Sequence, residues 1–168
     1  MIKSERSKLV KSTVLEPKPS DVSSIDGIIK AFYESISFSS GSQPDFNRFH
    51  SLFHSQALLI SPKQDRSTVV ELVDVEMYVK DTVENIVLTG MERKGLVFTE
   101  IARRMQSLGS IAQVFSTFET KNKIDETKPI QRGIYSIQLL KFRQRWWILS
   151  LTWEYERTDL PIPRAFLI

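Results

Sequence analysis

Apolar residues between positions 22 and 36 recur at alternating spacings of three and four residues, which places them on one side of a helix. They are Val22, Ile25, Ile29, Phe32 and Ile36. Ser20 or Asp21 can cap the start of this helix, because short polar side chains accept hydrogen bonds from free backbone N–H groups. The polar run from Ser39 to Ser42 ends it. The pattern therefore predicts a first amphipathic helix.

Two further helices are predicted on the same grounds. One extends from Asp45, a good N-cap, to about His54. Its apolar face consists of Phe46, Phe49, Leu52 and Phe53. The other extends from Asp74 to Leu88, and Gly90 stands where a glycine commonly ends a helix. Its apolar stripe consists of Val75, Val79, Thr82, Val83 and Ile86.

Shorter apolar runs between the helices indicate strands. Ala57–Ile60 predicts a short buried strand that Ser61 and Pro62 end, and Thr68–Val70 is a second strand segment. After Gly95 the hydrophobic period changes from about 3.6 to about 2, as in a β-strand. The C-terminal half of the chain is therefore predicted to be a sheet.

Two hairpins account for this half. Leu96–Gln106 pairs with Ser110–Lys121 around a turn at Leu108, and Gln131–Phe142 pairs with Arg145–Arg157. Helices at the start of the chain and strands at its end indicate an α+β fold.

The pairing of the first hairpin and the alternation of the last strand predict which side chains share a face. Centring the first turn on Leu108 sets Glu100 opposite Ser116 and predicts one face with Ala102, Val114 and Phe118. Large apolar groups lie on both faces of this hairpin, so neither face is expected to be fully solvated. Strict alternation in the last strand predicts one face composed of Trp147, Leu149, Leu151, Trp153 and Tyr155.

The charge is concentrated at one end of the chain. The 168 residues carry a formal net charge of +3, and residues 1–20 hold five basic and two acidic side chains, which accounts for all of it. A neutral body lacks the sustained basic face that nucleic acid requires. We therefore expect a flexible basic leader over residues 1–20, a folded domain over 21–157 and a C-terminal tail over 158–168. The apolar end of the tail is expected to dock on the body or on a partner.

Composition excludes several kinds of site. The chain has no cysteine, which rules out disulfides, thiolate catalysis and cysteine-ligated metals. No apolar run is long enough to span a bilayer and no secretory signal is present, so we expect a cytoplasmic protein without a membrane contact. P-loop, Rossmann and nucleophile-elbow motifs are also absent, and no cofactor is expected.

The order of these elements resembles the nuclear transport factor 2-like superfamily, which includes ketosteroid isomerases, scytalone dehydratases and SnoaL-like cyclases. Four segments of the region 21–157 carry the resemblance. They are the helix Ile25–Ser37, the segment Phe53–Pro62, the glycine-led strand Gly109–Val114, and Gly133–Leu139 followed by Trp146-Trp147-Ile148. The resemblance implies a curved antiparallel β-sheet wrapped around three N-terminal helices, forming a cone with a pocket. It also implies a homodimer through the outer face of the sheet.

The resemblance permits a test of isomerase chemistry. The acid that serves as the proton-shuttling base in ketosteroid isomerases corresponds here to Ser61. A serine hydroxyl cannot shuttle protons near neutral pH without a neighbouring base. Tyr33 matches the first-helix tyrosine that serves those enzymes as an oxyanion donor, although it also fits the edge of an apolar face. Isomerase chemistry by the usual base is therefore disfavoured.

Three residues are the candidates for catalysis: Tyr33, His54 and Glu100. His50 and His54 have the spacing of two zinc ligands on a helix, but no third ligand is indicated, so no metal site is expected. A carboxylate such as Glu100 among apolar neighbours could act as a base, or it could simply pair with Arg104 or another basic residue. The candidates for ligand binding are Tyr33, Ser61, Tyr78, Glu100, Arg104 and Trp153.

These observations leave three hypotheses about function. The first is a module that binds a small, largely apolar ligand in the cone pocket. The second is a dehydratase, isomerase or cyclase with a non-standard acid/base pair. The third is a homodimeric protein-interaction module. The sequence favours the first and does not identify the ligand.

Overall fold

The computed structural model describes residues 16–61 and 71–168. Within these ranges the helices precede most of the sheet, which confirms the α+β class. The helices are α1 (Pro19–Val22), α2 (Ile25–Ile36), α3 (Phe46–Leu52) and α4 (Val75–Thr89), with short 3-10 turns at Met91–Arg93 and Arg164–Phe166. The strands are β1 (Phe38–Ser39), β2 (Phe53–Ser61), β3 (Glu71–Val73), β4 (Gly95–Leu108), β5 (Ile111–Lys121), β6 (Gln131–Phe142) and β7 (Arg145–Tyr155). The strand segment predicted at residues 68–70 lies outside the described residues.

The described strands form one curved sheet in the order β1-β4-β5-β6-β7-β2-β3. Neighbouring strands are antiparallel except β2 and β7, which run parallel, so the sheet is mixed rather than wholly antiparallel. The helices cover its inner face, where the largest fully buried side chains lie. These include Phe32, Phe49, Phe118, Leu59, Ile137 and Leu151. No described helix has both the length and the apolar character that crossing a membrane requires.

Helix α2 begins three residues later than its apolar pattern suggested. Its N-cap is Ser24, whose hydroxyl accepts a hydrogen bond from Gly27 N at 2.9 Å, rather than Ser20 or Asp21. Those two residues belong to α1, which starts inside the region expected to be leader. A Cβ on Gly27 would approach Ser20 O to 2.4 Å. Glycine at this position therefore lets α1 fold back closely against α2.

Helix α3 is shorter than predicted. Asp45 caps it by accepting from Arg48 N at 3.0 Å, as expected, but the helix ends at Leu52 and β2 starts at Phe53. His54 consequently lies on a strand and does not share a helix face with His50. The apolar pattern continues through Phe53 in either conformation, which is why it did not reveal the boundary.

Helix α4 matches its prediction closely. Asp74 accepts from Met77 N at 2.8 Å, and Gly90 ends the helix with φ 65°, in the left-handed region that glycine adopts without steric cost. Its buried residues are only Val75 and Ile86. The helix is therefore well specified locally but packs loosely on the sheet.

The first hairpin has a different register from the predicted one. Its turn is Gly109-Ser110, with Leu108 opposite Ile111, so Ser116 lies opposite Arg103 instead of Glu100. Ile101 is an extra residue in β4, a β-bulge that brings Glu100 opposite Phe118. Ala102, opposite Thr117, consequently faces the other side of the sheet.

The second hairpin has the predicted turn. Arg143 and Gln144 connect β6 and β7 with φ of 49° and 67°, as a two-residue hairpin requires. A second bulge, at Leu149, reverses the alternation within β7. Trp146 and Ile148 are therefore buried together with Leu151, which corrects the predicted face.

The C-terminal tail lies across the outer face of β4 and β5. Thr117 Oγ1 donates to Phe166 O at 2.5 Å, and Arg104 Nε donates to Ala165 O. The ring of Phe166 packs 5.4 Å from that of Phe115. The tail thus covers part of the face that the resemblance assigns to a dimer.

Candidate functional site

A cavity of about 480 Å³ opens between α4 and the sheet. The sheet contributes the starts of β1 and β4, the ends of β2 and β7, and β3. Most of the lining is apolar or aromatic and includes Phe38, Phe46, Leu96, Phe98 and Trp153. The side chains of residues 16–61 and 71–168 leave this space unfilled.

Aromatic rings form one wall of this cavity. Tyr78 on α4 meets Trp153 on β7 edge to face, with ring centroids 5.8 Å apart, and stacks on Phe49 at 5.5 Å. Phe98 and Tyr155 both contact the buried Phe118, at 5.8 and 6.2 Å. These contacts fix the orientation of the wall, since each ring is held by a neighbour in the core.

The side of α4 that faces the cavity carries polar groups. Tyr78, Asp81, Thr82 and Asn85 all line it, at the spacings of three, four and seven residues that share a helix face. Thr82 Oγ1 donates to Tyr78 O at 2.7 Å, so this hydroxyl offers only acceptor lone pairs to the cavity. Helix faces that pack in a core are usually apolar. Asp81 and Asn85 are exposed to solvent, so this face of α4 borders the open mouth of the cavity and does not pack in the core.

Two tyrosine hydroxyls at the cavity remain protonated at physiological pH. Burial, together with the nearby Tyr155, raises the pKa of Tyr78 to about 12. Burial likewise raises the pKa of Tyr155. Both side chains are therefore neutral phenols that can donate or accept hydrogen bonds.

Ser61 lines the cavity at the end of β2 and pairs across the ladder with Glu71 of β3. It occupies the position at which the resemblance places a catalytic acid. The hydroxyl can accept or donate a hydrogen bond there, but it supplies no base. Three of the residues predicted to bind ligand, Ser61, Tyr78 and Trp153, are thus brought together in one cavity.

Tyr33 and Glu100 lie elsewhere, in a polar network between α2 and β4. Tyr33 OH and Ser116 Oγ are 2.7 Å apart, and Ser116 Oγ donates to Glu100 Oε1. Arg103 holds both carboxylate oxygens of Glu100, at 2.8 and 2.6 Å, and also binds Asp26. Burial raises the pKa of the Tyr33 hydroxyl, and the hydrogen bond with Ser116 opposes this. Glu100 therefore has a basic partner, which is Arg103 rather than Arg104.

This network borders a separate groove of about 430 Å³, also lined by Ser37 and Ile124. It shares Phe98 with the cavity beneath α4 but not Ser61, Tyr78 or Trp153. Arg104 is exposed on the outer face of the sheet, where it donates to the tail at Ala165 O. The six predicted ligand-binding residues are thus divided among three places.

The histidines are not part of either site. His54 Nδ1 accepts from Gln56 N at 3.2 Å, and its ring lies 5.9 Å from that of Trp147. His50 and His54 border a small depression together with Asp74 and Glu76. Across residues 16–61 and 71–168, no group of three or more metal-binding side chains has a geometry that could hold an ion.

Sequence reasoning missed Asp81, Asn85 and Tyr155 as lining residues. The signal was present for the first two, because they follow the predicted Tyr78 at helical spacings of three and seven. The signal was present for Tyr155 as well, because strict alternation in the last strand puts it on the same face as the predicted Trp153.

No family model matches the chain, and no curated protein matches it in sequence. Solved structures do match its fold. A candidate dehydratase of the NTF2-like family from Streptomyces avermitilis is 14% identical, with a TM-score of 0.57 over 82% of this chain and 97% of that one. An NTF2-like protein of unknown function from Shewanella baltica is 14% identical, with a TM-score of 0.53 over 79% and 91%. The yeast UBP3-associated protein BRE5 is 15% identical, with a TM-score of 0.52 over 77% and 92%.

Proposed function

We propose that this chain, which has the nuclear transport factor 2-like fold, binds a small, largely apolar ligand in the cavity beneath α4. The observation that carries the proposal is a cavity of about 480 Å³ with an aromatic wall and a few polar groups on one side. Ligand pockets are typically about 300–1,000 Å³ and have this composition. The fold alone does not decide function, since one fold hosts many chemistries.

Uptake of a neutral fluorescent probe, N-phenyl-1-naphthylamine, tests this proposal. The emission of this probe rises when it enters an apolar site. The test variant is Asn85→Trp, which places a large ring in the cavity. The matched control is Glu84→Trp, a change at an exposed neighbour on α4 outside the lining.

We expect the wild type and Glu84→Trp to bind the probe alike, and Asn85→Trp to lose most of the binding. Far-UV circular dichroism of both variants verifies that the fold is retained. Equal binding by the two variants would place the probe elsewhere and contradict the proposal.

A second candidate function is acid/base catalysis by Tyr33 and Glu100. The observation that favours it is the hydrogen-bonded series Tyr33–Ser116–Glu100, along which a proton could pass. The Streptomyces neighbour is described as a candidate dehydratase. Dehydration of 4-hydroxy-4-phenylbutan-2-one to its conjugated ketone, followed by absorbance, tests for this activity. Catalysis that falls at least about 100-fold in Glu100→Gln and persists in Glu119→Gln would support it, and no turnover by the wild type would contradict it.

We also propose a homodimer through the outer face of the sheet. Leu108, Ile111 and Phe115 are exposed there, and burial of such groups favours association. Sedimentation velocity at tens of micromolar should show a dimer for the wild type and for Ile124→Asp, which alters an exposed loop. Ile111→Asp should be monomeric. A monomeric wild type would contradict the proposal. A cytoplasmic location stays a prediction that cell fractionation can check.

A further inference from the structure

We infer that the cavity beneath α4 prefers an organic cation, an ammonium group carried on an apolar body. This inference rests on the ligand-binding function proposed above and specifies the chemical class of the ligand. It follows from the charges, the acceptors and the aromatic rings that the described lining residues present together.

The charged side chains among the described lining residues are both carboxylates, Glu71 and Asp81. Asp81 is exposed and forms no ion pair or hydrogen bond with the rest of the described chain, so its charge is not neutralised there. No described lysine or arginine lines the cavity. An anionic ligand group would be repelled by the Asp81 carboxylate, whereas a cationic group would be attracted to it.

The uncharged polar groups nearby suit a hydrogen-bond donor. The Thr82 hydroxyl donates its hydrogen bond to the Tyr78 carbonyl, so it can only accept a hydrogen bond from a ligand. The amide oxygen of Asn85 and the hydroxyl of Ser61 are further acceptors on the lining. An ammonium group carries three donors and no acceptor, and each of these three groups can accept a hydrogen bond from it.

The aromatic wall contributes in two ways. The rings of Tyr78 and Trp153 line the cavity and offer apolar area to the body of the ligand, and an aromatic ring attracts a cationic head placed over an open face. Both tyrosines at the cavity stay uncharged at neutral pH and so supply no competing charge of either sign.

Competition against N-phenyl-1-naphthylamine by three compounds of matched shape tests the inference. The compounds are 1-naphthylmethylamine, 1-naphthylmethanol and 1-naphthoic acid, which are cationic, neutral and anionic at pH 7. At low salt we expect the amine to bind about fivefold more tightly than the alcohol, as for a partly exposed ion pair, and the acid to bind most weakly. Added sodium chloride should reduce the amine's advantage, because salt screens exposed charges.

Asp81→Asn is the test variant, and Glu84→Gln is its control on the exposed side of the same helix. We expect Asp81→Asn to bring the ratio of amine to alcohol affinity close to one, and Glu84→Gln to leave that ratio unchanged. Equal binding of amine and alcohol by the wild type, or tightest binding of the acid, would overturn the cation preference while leaving the ligand-binding function in place. Failure of the probe and of all three compounds to bind would instead overturn the proposed function itself.

Discussion

Helices α2 and α4 begin alike and lie in different surroundings. Each has a capping side chain, Ser24 or Asp74, that accepts a hydrogen bond from the first turn. Seven of the twelve residues of α2 are buried against the sheet, whereas only Val75 and Ile86 are buried among the fifteen of α4. Local signals thus specify both helices equally, while packing differs because α4 lies over a cavity.

Helix α2 lies in the part of the protein that packing stabilises, whereas α4 lies beside the part that can accept a ligand. On the side of the molecule where α2 packs against the sheet, Arg48 binds Asp21 of α1 at 2.7 Å and Glu34 of α2 at 2.8 Å. On the other side, α4 presents Asp81, Thr82 and Asn85 to the cavity, and none of these three forms an ion pair with the described residues. Stability and binding are therefore expected to respond to different substitutions.

The largest expected effect comes from the same change made in both helices. Ile29→Ala removes a fully buried side chain from α2 and should lower the free energy of unfolding by about 3–4 kcal/mol. Ile86→Ala, at the cavity, should cost only about 1–2 kcal/mol, because fewer neighbours lose contacts. Urea denaturation measures both. Equal losses would mean that α4 is packed as tightly as α2.

Next in size is Asp21→Asn, which breaks the pair with Arg48 on the packed side. The hydrogen bond from Arg48 holds the pKa of Asp21 below its usual 3.8, and burial opposes this only in part. The ionised form therefore stabilises the fold above that pH, and the contribution is lost as the pH falls through the folded-state pKa. We expect the variant to be about 1–2 kcal/mol less stable at pH 7 in urea denaturation, and the difference to shrink as the pH falls below 3.8.

A smaller effect is expected at the end of α4. Gly90 has φ 65°, and a Cβ there would meet no other atom, so Gly90→Ala incurs only the conformational cost. That cost is about 1 kcal/mol. Thermal unfolding should reveal it as a small decrease in Tm. An increase in Tm would indicate that the helix end adopts another conformation.

The smallest effect should come from Leu88→Ala on the solvent side of α4. Leu88 is 85% exposed, so its removal should change stability by less than about 0.5 kcal/mol. The measurement is urea denaturation at a protein concentration at which sedimentation shows a monomer. A larger loss of unfolding free energy there would show that another part of the chain covers this side of α4.

The helices and the second hairpin could be predicted from the sequence because their signals are local. Asp45, Asp74 and Gly90 act within one helical turn, and the turn at Arg143-Gln144 joins adjacent strands. The bulges at Ile101 and Leu149 could not be predicted, because alternation continues on both sides of an extra residue. The bulge at Leu149 made the predicted inward face of β7 wrong, whereas the register of the first hairpin was wrong because its turn is Gly109-Ser110 and is not centred on Leu108.

The site was predictable only in part. Ser61, Tyr78 and Trp153, three of the six residues predicted to bind ligand, line one cavity, and their role in binding stays a prediction. Tyr33 and Glu100 are linked to each other through Ser116, a connection across three elements that no sequence spacing expresses. Contacts of this kind depend on the register between strands, which the sequence did not determine.

The parallel pairing of β2 with β7 has a consequence for how the chain folds. Phe53 and Ile148 are neighbours in the sheet although they are about 95 residues apart along the chain. Closing so long a loop is costly in entropy, and sheets that depend on distant pairings fold slowly. During synthesis, β2 cannot pair with the rest of the sheet until β7 has emerged. Among the described strands β3 pairs only with β2, so it also joins the sheet after β7. The edge beside the cavity is therefore expected to be the last part of the sheet to assemble.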